Sequence, residues 1–425
     1  MAKPAMQHSL PGPESIHREA LPNGITVLSR ANFNSPSVVI SGYFTSGSLF
    51  EADEKLGLAD FMCSTLMRGT QKRSMQELYD ALESVGEGFG YDSGTRSSNF
   101  SGRALAEDLP LLLNILAETI QFPAFPKDQV ERLRTQLLTS LALRAQDTSD
   151  MADLIFDEML FKGHPYGRPD DGWPETIRAI TRADLRNFHH RTVGPQGMVI
   201  AVVGAVEPKR AVEYVYRALG HWKNPFQQPL PEIPPFPSLK KAEARHHKIA
   251  GKSQTDIVIG TTGPKRTDPE FMAASLGNSV LGQFGMGGRI GDVVREKAGL
   301  AYFAYSNLGA GYEVGTWDVS AGVNPKNVRK ATDLILKVLT GFVRDGVTKG
   351  ELTDSQDNFV GRLPLSLESN SGVAGALLSI ERYNLGLDYF QRYAGMVRRV
   401  TRDDVKAAAE KYINPNRLVF ASAGP

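Results

Sequence analysis

Asp60, Cys63 and Ser64 stand at i, i+3 and i+4 within Gly57 to Thr70, GLADFMCSTLMRGT. In a helix that spacing gathers a carboxylate, a thiol and a hydroxyl on one side, opposite an apolar stripe of Leu58, Phe61, Met62 and Thr65. A carboxylate and a thiolate can both ligate zinc. A serine hydroxyl is a poor ligand, and no histidine lies nearby in the sequence. Cys63 is either a reactive thiol or a small semi-buried hydrophobe, and the second reading is the plainer one.

A second constellation runs from Leu281 to Ser306, LGQFGMGGRIGDVVREKAGLAYFAYS. Its glycines are not followed by G-K-[ST] and do not have dinucleotide-binding spacing. They predict a turn or a substrate-touching loop, with Gly285, Gly287 and Gly288 as the candidate contact points. Glycine there lets the backbone approach a peptide or another strand closely. The loop leads to Arg295-Glu296-Lys297-Ala298-Gly299-Leu300-Ala301-Tyr302. By composition alone this reads as a solvated helix end before a strand over 301–306. The adjacent pairs His189-His190 and His246-His247 have diverging side chains and read as surface residues.

The elements that position these groups are written twice. Ile180 to Gly204 and Val400 to Gly424 share one register: Thr181 and Thr401, Pro195 and Pro415, Gly204 and Gly424 are each 220 residues apart. Each copy predicts a Thr N-cap, a short helix, a Pro-marked turn and an apolar strand. Upstream, Leu109, Leu112, Leu116 and Ile120 form one helical face, and Val328, Ala331, Ile335, Val338 and Phe342 form another. Asn23-Gly24 predicts a hairpin turn into 25–28, with further strands over 37–44 and 255–260. The fold class expected is α+β: two homologous domains, 15–225 and 240–425, each a mostly antiparallel sheet with helices on one face. The proline-rich segment 226–239 predicts an extended, semi-rigid linker between them.

Composition excludes several classes. With 48 basic and 47 acidic residues there is no nucleic-acid footprint. One cysteine rules out an internal disulfide framework. No run of 18 apolar residues suggests a membrane span, and the first twenty residues lack an apolar signal core. A cytoplasmic location is the expectation.

The segment 57–70 resembles the signature helix of the pitrilysin/insulinase (inverzincin) metallopeptidases, whose active members carry H-x-x-E-H in a frame like GLAHFLEHMLFKGT. There two histidines one turn apart bind zinc and the glutamate acts as base on the zinc-bound water. Gly57, Leu58, Ala59, Phe61, Leu66, Gly69 and Thr70 match that frame. Asp60 and Ser64 stand where the histidines would be, and Cys63 stands for the glutamate. The family's third ligand, a glutamate on a later helix, corresponds to Ser140 in LLTSLALRAQDTSD. The R-E-K-x-G-L-A-Y block is intact. The resemblance implies that Tyr302 can hydrogen-bond a developing oxyanion and that Arg295 can anchor peptide. It further implies a metal-free subunit of a heterodimer like mitochondrial processing peptidase and its bacterial counterparts. Zinc would sit in a homologous partner, and unfolded or short peptides would be the substrates. Two alternatives remain: a purely structural homologue like the core proteins of the cytochrome bc complex, or a subunit processing a quinone-cofactor precursor.

Overall fold

The computed structural model describes residues 10–85, 88–283, 285 and 287–425. Among these, eleven strands form two sheets. The first holds β1 (His17–Ala20), β2 (Thr26–Ala31), β3 (Ser37–Phe44), β4 (Phe89–Ser93), β5 (Ser98–Leu105) and β6 (Val199–Gly204), in the order β1-β2-β6-β3-β5-β4. The second holds β7 (Glu243–Lys248), β8 (Thr255–Thr262), β9 (Ala301–Leu308), β10 (Thr316–Val323) and β11 (Val419–Gly424), in the order β7-β11-β8-β10-β9. The second order reproduces the first without β1. In both sheets the neighbours are antiparallel except one pair, β2 with β6 and β7 with β11. The predicted α+β class with two homologous halves is the observed one.

Local chemistry accounts for the elements. Gly24, at φ 95°, makes the turn that the Asn-Gly pair predicted between β1 and β2. Thr181 and Thr401 both close capping boxes, with Asp184 and Asp404 as the reciprocal partners. In helix Val328–Asp345 the core positions are Ala331, Ile335, Leu339 and Phe342, so Leu339 takes the place expected for Val338.

Packing divides the chain differently from the contiguous halves 15–225 and 240–425. One compact unit comprises Met1–Leu138, Asp170–Glu232 and Leu363–Tyr393; the other comprises Thr139–Pro169, Ile233–Arg362 and Ala394–Pro425. The halves exchange one helix each. Helix Asn370–Arg382 packs on β3 and β6, and helix Thr148–Leu160 packs on β8 and β11. Consecutive residues of β3 show what this does. The Phe44 ring meets Tyr91, whose hydroxyl bonds Thr119 of helix Leu109–Gln121, while Arg382 stacks on the Tyr43 ring at 4.3 Å. Neighbours in a strand point to opposite faces. The half's own helix therefore lies on one face and the exchanged helix covers the other. Every residue of β6 is consequently buried.

The 226–239 segment forms no helix or strand between helix Pro208–Leu219 and β7. It is held at two places: Phe226 stacks on His190, and Phe236 enters a cluster of Phe161, His164 and Tyr166.

Candidate functional site

The signature helix is observed as Leu58–Thr65, followed by a 3-10 turn, Leu66–Arg68. Gly57 precedes it at φ 88°, and a Cβ there would lie 2.7 Å from the Asp171 carbonyl oxygen. Only glycine fits. The first turn is capped from a distance: the buried Glu51 carboxylate accepts from Gly57 N–H at 3.0 Å and Ala59 N–H at 2.5 Å. A negative side chain on these donors satisfies them and complements the helix dipole.

The three candidate positions do not share one accessible side. Cys63 is buried with Leu58, Phe61 and Met62, whereas Asp60 and Ser64 are partly exposed. Burial pushes the Cys63 thiol up to about 12, against the help of hydrogen bonds with Ser98 and Ser93. That thiol stays protonated and is neither a ready nucleophile nor a ready metal ligand. Burial, then the charges of Asp171, Asp170 and Asp92, push the Asp60 carboxyl up to about 6. Asp170 is held by Ser48 and by Thr95 at 3.0 Å. These acidic neighbours come from far along the chain, and no local spacing around Asp60 announces them.

This donor set does not fit zinc. It offers one carboxyl that binds a proton more readily than usual, one buried neutral thiol and a serine hydroxyl. Among the described residues no group of three or more His, Cys, Asp or Glu side chains could hold a metal ion. Ser140 is exposed on helix Lys127–Arg144 and belongs to the second unit. His189 is no simple surface residue: Nε2 lies 2.8 Å from the Ile120 carbonyl oxygen, and burial pushes the ring down to about 4.

The second constellation folds within the second unit. A π-helical segment, Gly291–Lys297, carries Arg295, and Gly299 at φ 61° ends it. Gly299 N–H donates to the Arg295 carbonyl at 3.0 Å, and Leu300 N–H donates to the Val294 carbonyl at 3.0 Å. This left-handed stop turns the chain into β9. Tyr302, the second residue of that edge strand, is 82% exposed. Arg295 is half-buried, with Nε 3.6 Å from Glu296. The preceding segment is anchored by Arg289, whose guanidinium grips Glu351 through two bonds of 2.7 and 2.6 Å.

The glycines divide. Gly285, Gly287 and Gly288 all have φ between 56° and 106°. A Cβ on Gly287 would lie 2.6 Å from the Ala304 carbonyl oxygen of β9, and one on Gly288 would lie 2.5 Å from the Val280 carbonyl oxygen. The close approach is thus to the protein's own backbone at both. Gly285 alone of the three faces open space. Phe284 and Met286 lie outside the described residues.

The family descriptions "Insulinase (Peptidase family M16)" and "Peptidase M16 inactive domain" match residues 26–169 and 179–359. The chain belongs to the M16 peptidase family. It is 27% identical, over 97% of its length and 90% of the relative's, to an uncharacterized zinc protease of Streptomyces coelicolor. It is 24% identical to the mitochondrial-processing peptidase subunit beta of Saccharomyces cerevisiae, over 83% of this chain and 79% of that one. A crystal structure of a peptidase M16 inactive domain from Pseudomonas fluorescens superimposes with a TM-score of 0.89 at 27% identity, covering 96% of this chain and 98% of that one. Among the described residues no helix is long and apolar enough to cross a membrane.

Proposed function

We propose that this M16 chain is the metal-free subunit of a two-subunit zinc peptidase that cleaves unfolded or short peptides. A homologous partner carries H-x-x-E-H and the zinc, and this chain supplies Arg295 and Tyr302 in trans. One asymmetry carries the reading. The signature helix keeps its frame and its Glu51 cap but has donors unsuited to zinc, whereas the 295–302 block is intact and presents an exposed phenol.

The roles follow from the side chains. A neutral phenol O–H can donate to an oxyanion as charge develops on it, and does so without binding the metal itself. A guanidinium offers a fixed fork of donors for a peptide carbonyl or carboxylate. The peptide would lie extended and add to a sheet edge. β9 suits that use, since AYFAYSNL is an edge strand without a charged residue.

The test mixes the purified chain with an M16 homologue bearing an intact H-x-x-E-H and follows cleavage of an unstructured peptide. The chain alone is expected to be inactive and to hold no stoichiometric zinc, and the mixture to be active. Tyr302→Phe should lower kcat about 100- to 1000-fold, the range for loss of one oxyanion donor, and Arg295→Ala should raise KM by removing a peptide anchor, neither variant dissociating the complex. Stoichiometric zinc in the isolated chain, or full activity of both variants, would sink the proposal; the second outcome would favour a structural homologue.

A further inference from the structure

His164 is buried where the proline-rich connector meets the second unit. The Phe236 ring centre lies 4.1 Å from that of His164, 5.4 Å from Tyr166 and 5.8 Å from Phe161. Both imidazole nitrogens are engaged. Tyr166 N–H donates to Nδ1 at 3.1 Å, and Nε2 lies 3.0 Å from the Pro234 carbonyl oxygen. A backbone N–H only donates and a carbonyl only accepts, so Nδ1 is bare and Nε2 carries the proton.

A second proton can go only to Nδ1, where it would meet the Tyr166 N–H donor to donor. Protonation therefore removes one hydrogen bond and places a cation in a buried aromatic cluster. Next to burial, the Nε2–H bond to the Pro234 carbonyl favours the charged ring; of the charged groups facing it, Arg168 opposes a second positive charge and Glu313 favours it. Glu313 is already paired with Lys265 at 3.0 Å. Burial is the largest influence and holds the ring below the ordinary histidine value.

We propose that this cluster is an acid-sensitive clasp: neutral His164 pins residues 234–236 to the turn after helix Thr148–Leu160, and charging of His164 releases them. The sign follows from the depressed folded value. The clasp is fully closed above the ordinary histidine range, near pH 6.5, and opens as pH falls through the folded value.

The test is an NMR titration of the intact chain, labelled with 15N-histidine and 13C-phenylalanine, from pH 8 to 5. The expected result is an Nε2–H tautomer at pH 8 and His164–Phe236 ring contacts that fade with the midpoint of His164 itself. Exchange of the Tyr166 amide, normalised for its intrinsic pH dependence, should quicken about tenfold, the equivalent of one lost hydrogen bond. His164→Phe keeps the stacking, cannot titrate, and should lose the acid response. An Nδ1–H tautomer, ring contacts that persist through the titration, or an unchanged acid response in His164→Phe would each overturn the proposal. Should that variant fail to fold, the coincidence of the two midpoints in the native chain decides.

Discussion

At the residue scale, Asp60 shows how a position can keep its place and change its chemistry. It sits on a helix framed like a metal-binding one, yet its neighbours are Asp92, Asp170 and Asp171. Its folded carboxyl binds a proton more tightly than the unfolded one, with a value near 6 against an ordinary 3.8. The contribution of Asp60 to stability is therefore full below about pH 4 and lost as pH rises through about 6. Asp60→Asn removes the charge that burial opposes. It should raise stability by about 1–2 kcal/mol at pH 8, allowing for solvent screening of this partly exposed group. The gain should vanish by pH 4. Thermal unfolding at both pH values checks this, and an equal gain at both would refute the charge explanation.

At the element scale, the two copies of the repeat make the same cap with different surroundings. Thr181 and Thr401 accept from Asp184 and Asp404 N–H at 3.2 and 3.1 Å. Thr181→Ala and Thr401→Ala should each cost about 1 kcal/mol, the usual loss for an N-cap. Asp184 also pairs with Lys55 at 2.8 Å, with both side chains about one-third exposed or less. Asp184→Ala should thus cost about 0.5 kcal/mol more than Asp404→Ala. Urea midpoints of the four variants give the comparison, and equal losses for the two Asp variants would show that the Lys55 pair contributes nothing. These elements were legible because caps and apolar faces join residues only a few positions apart. The strand over 37–44 appears with those bounds, and the predicted 57–70 helix ends at Thr65 because its last turns tighten to 3-10 geometry.

At the scale of the whole molecule, the exchanged helices overturn a simple division of the chain. Met151, Ile155, Phe156 and Leu160 give 148–160 an apolar face, and Val373, Ala374, Leu377 and Ile380 give 370–382 another, but either sheet could satisfy them. Fragments 1–225 and 240–425 each lack the helix that covers the second face of their own sheet. Expressed alone, each should aggregate, and co-expressed they should co-purify at equal stoichiometry. Size-exclusion chromatography decides the matter; a cooperatively folded, monomeric 1–225 fragment would show that the exchanged helix is dispensable.

The signature helix illustrates where legibility stops. Sequence alone determined its frame, the identities at positions 60, 63 and 64, the intact 295–302 block and the doubling of the chain, because each is a matter of residue type and short spacing. Only the tertiary structure decided that Cys63 faces Ser93 and Ser98 inside the core, that Glu51 caps the helix, and that Gly287 and Gly288 are needed by β9 and Val280. It also decided that His164 is buried against the connector. Burial and charge environment depend on segments tens to hundreds of residues apart, and nothing in local spacing encodes which of them meet.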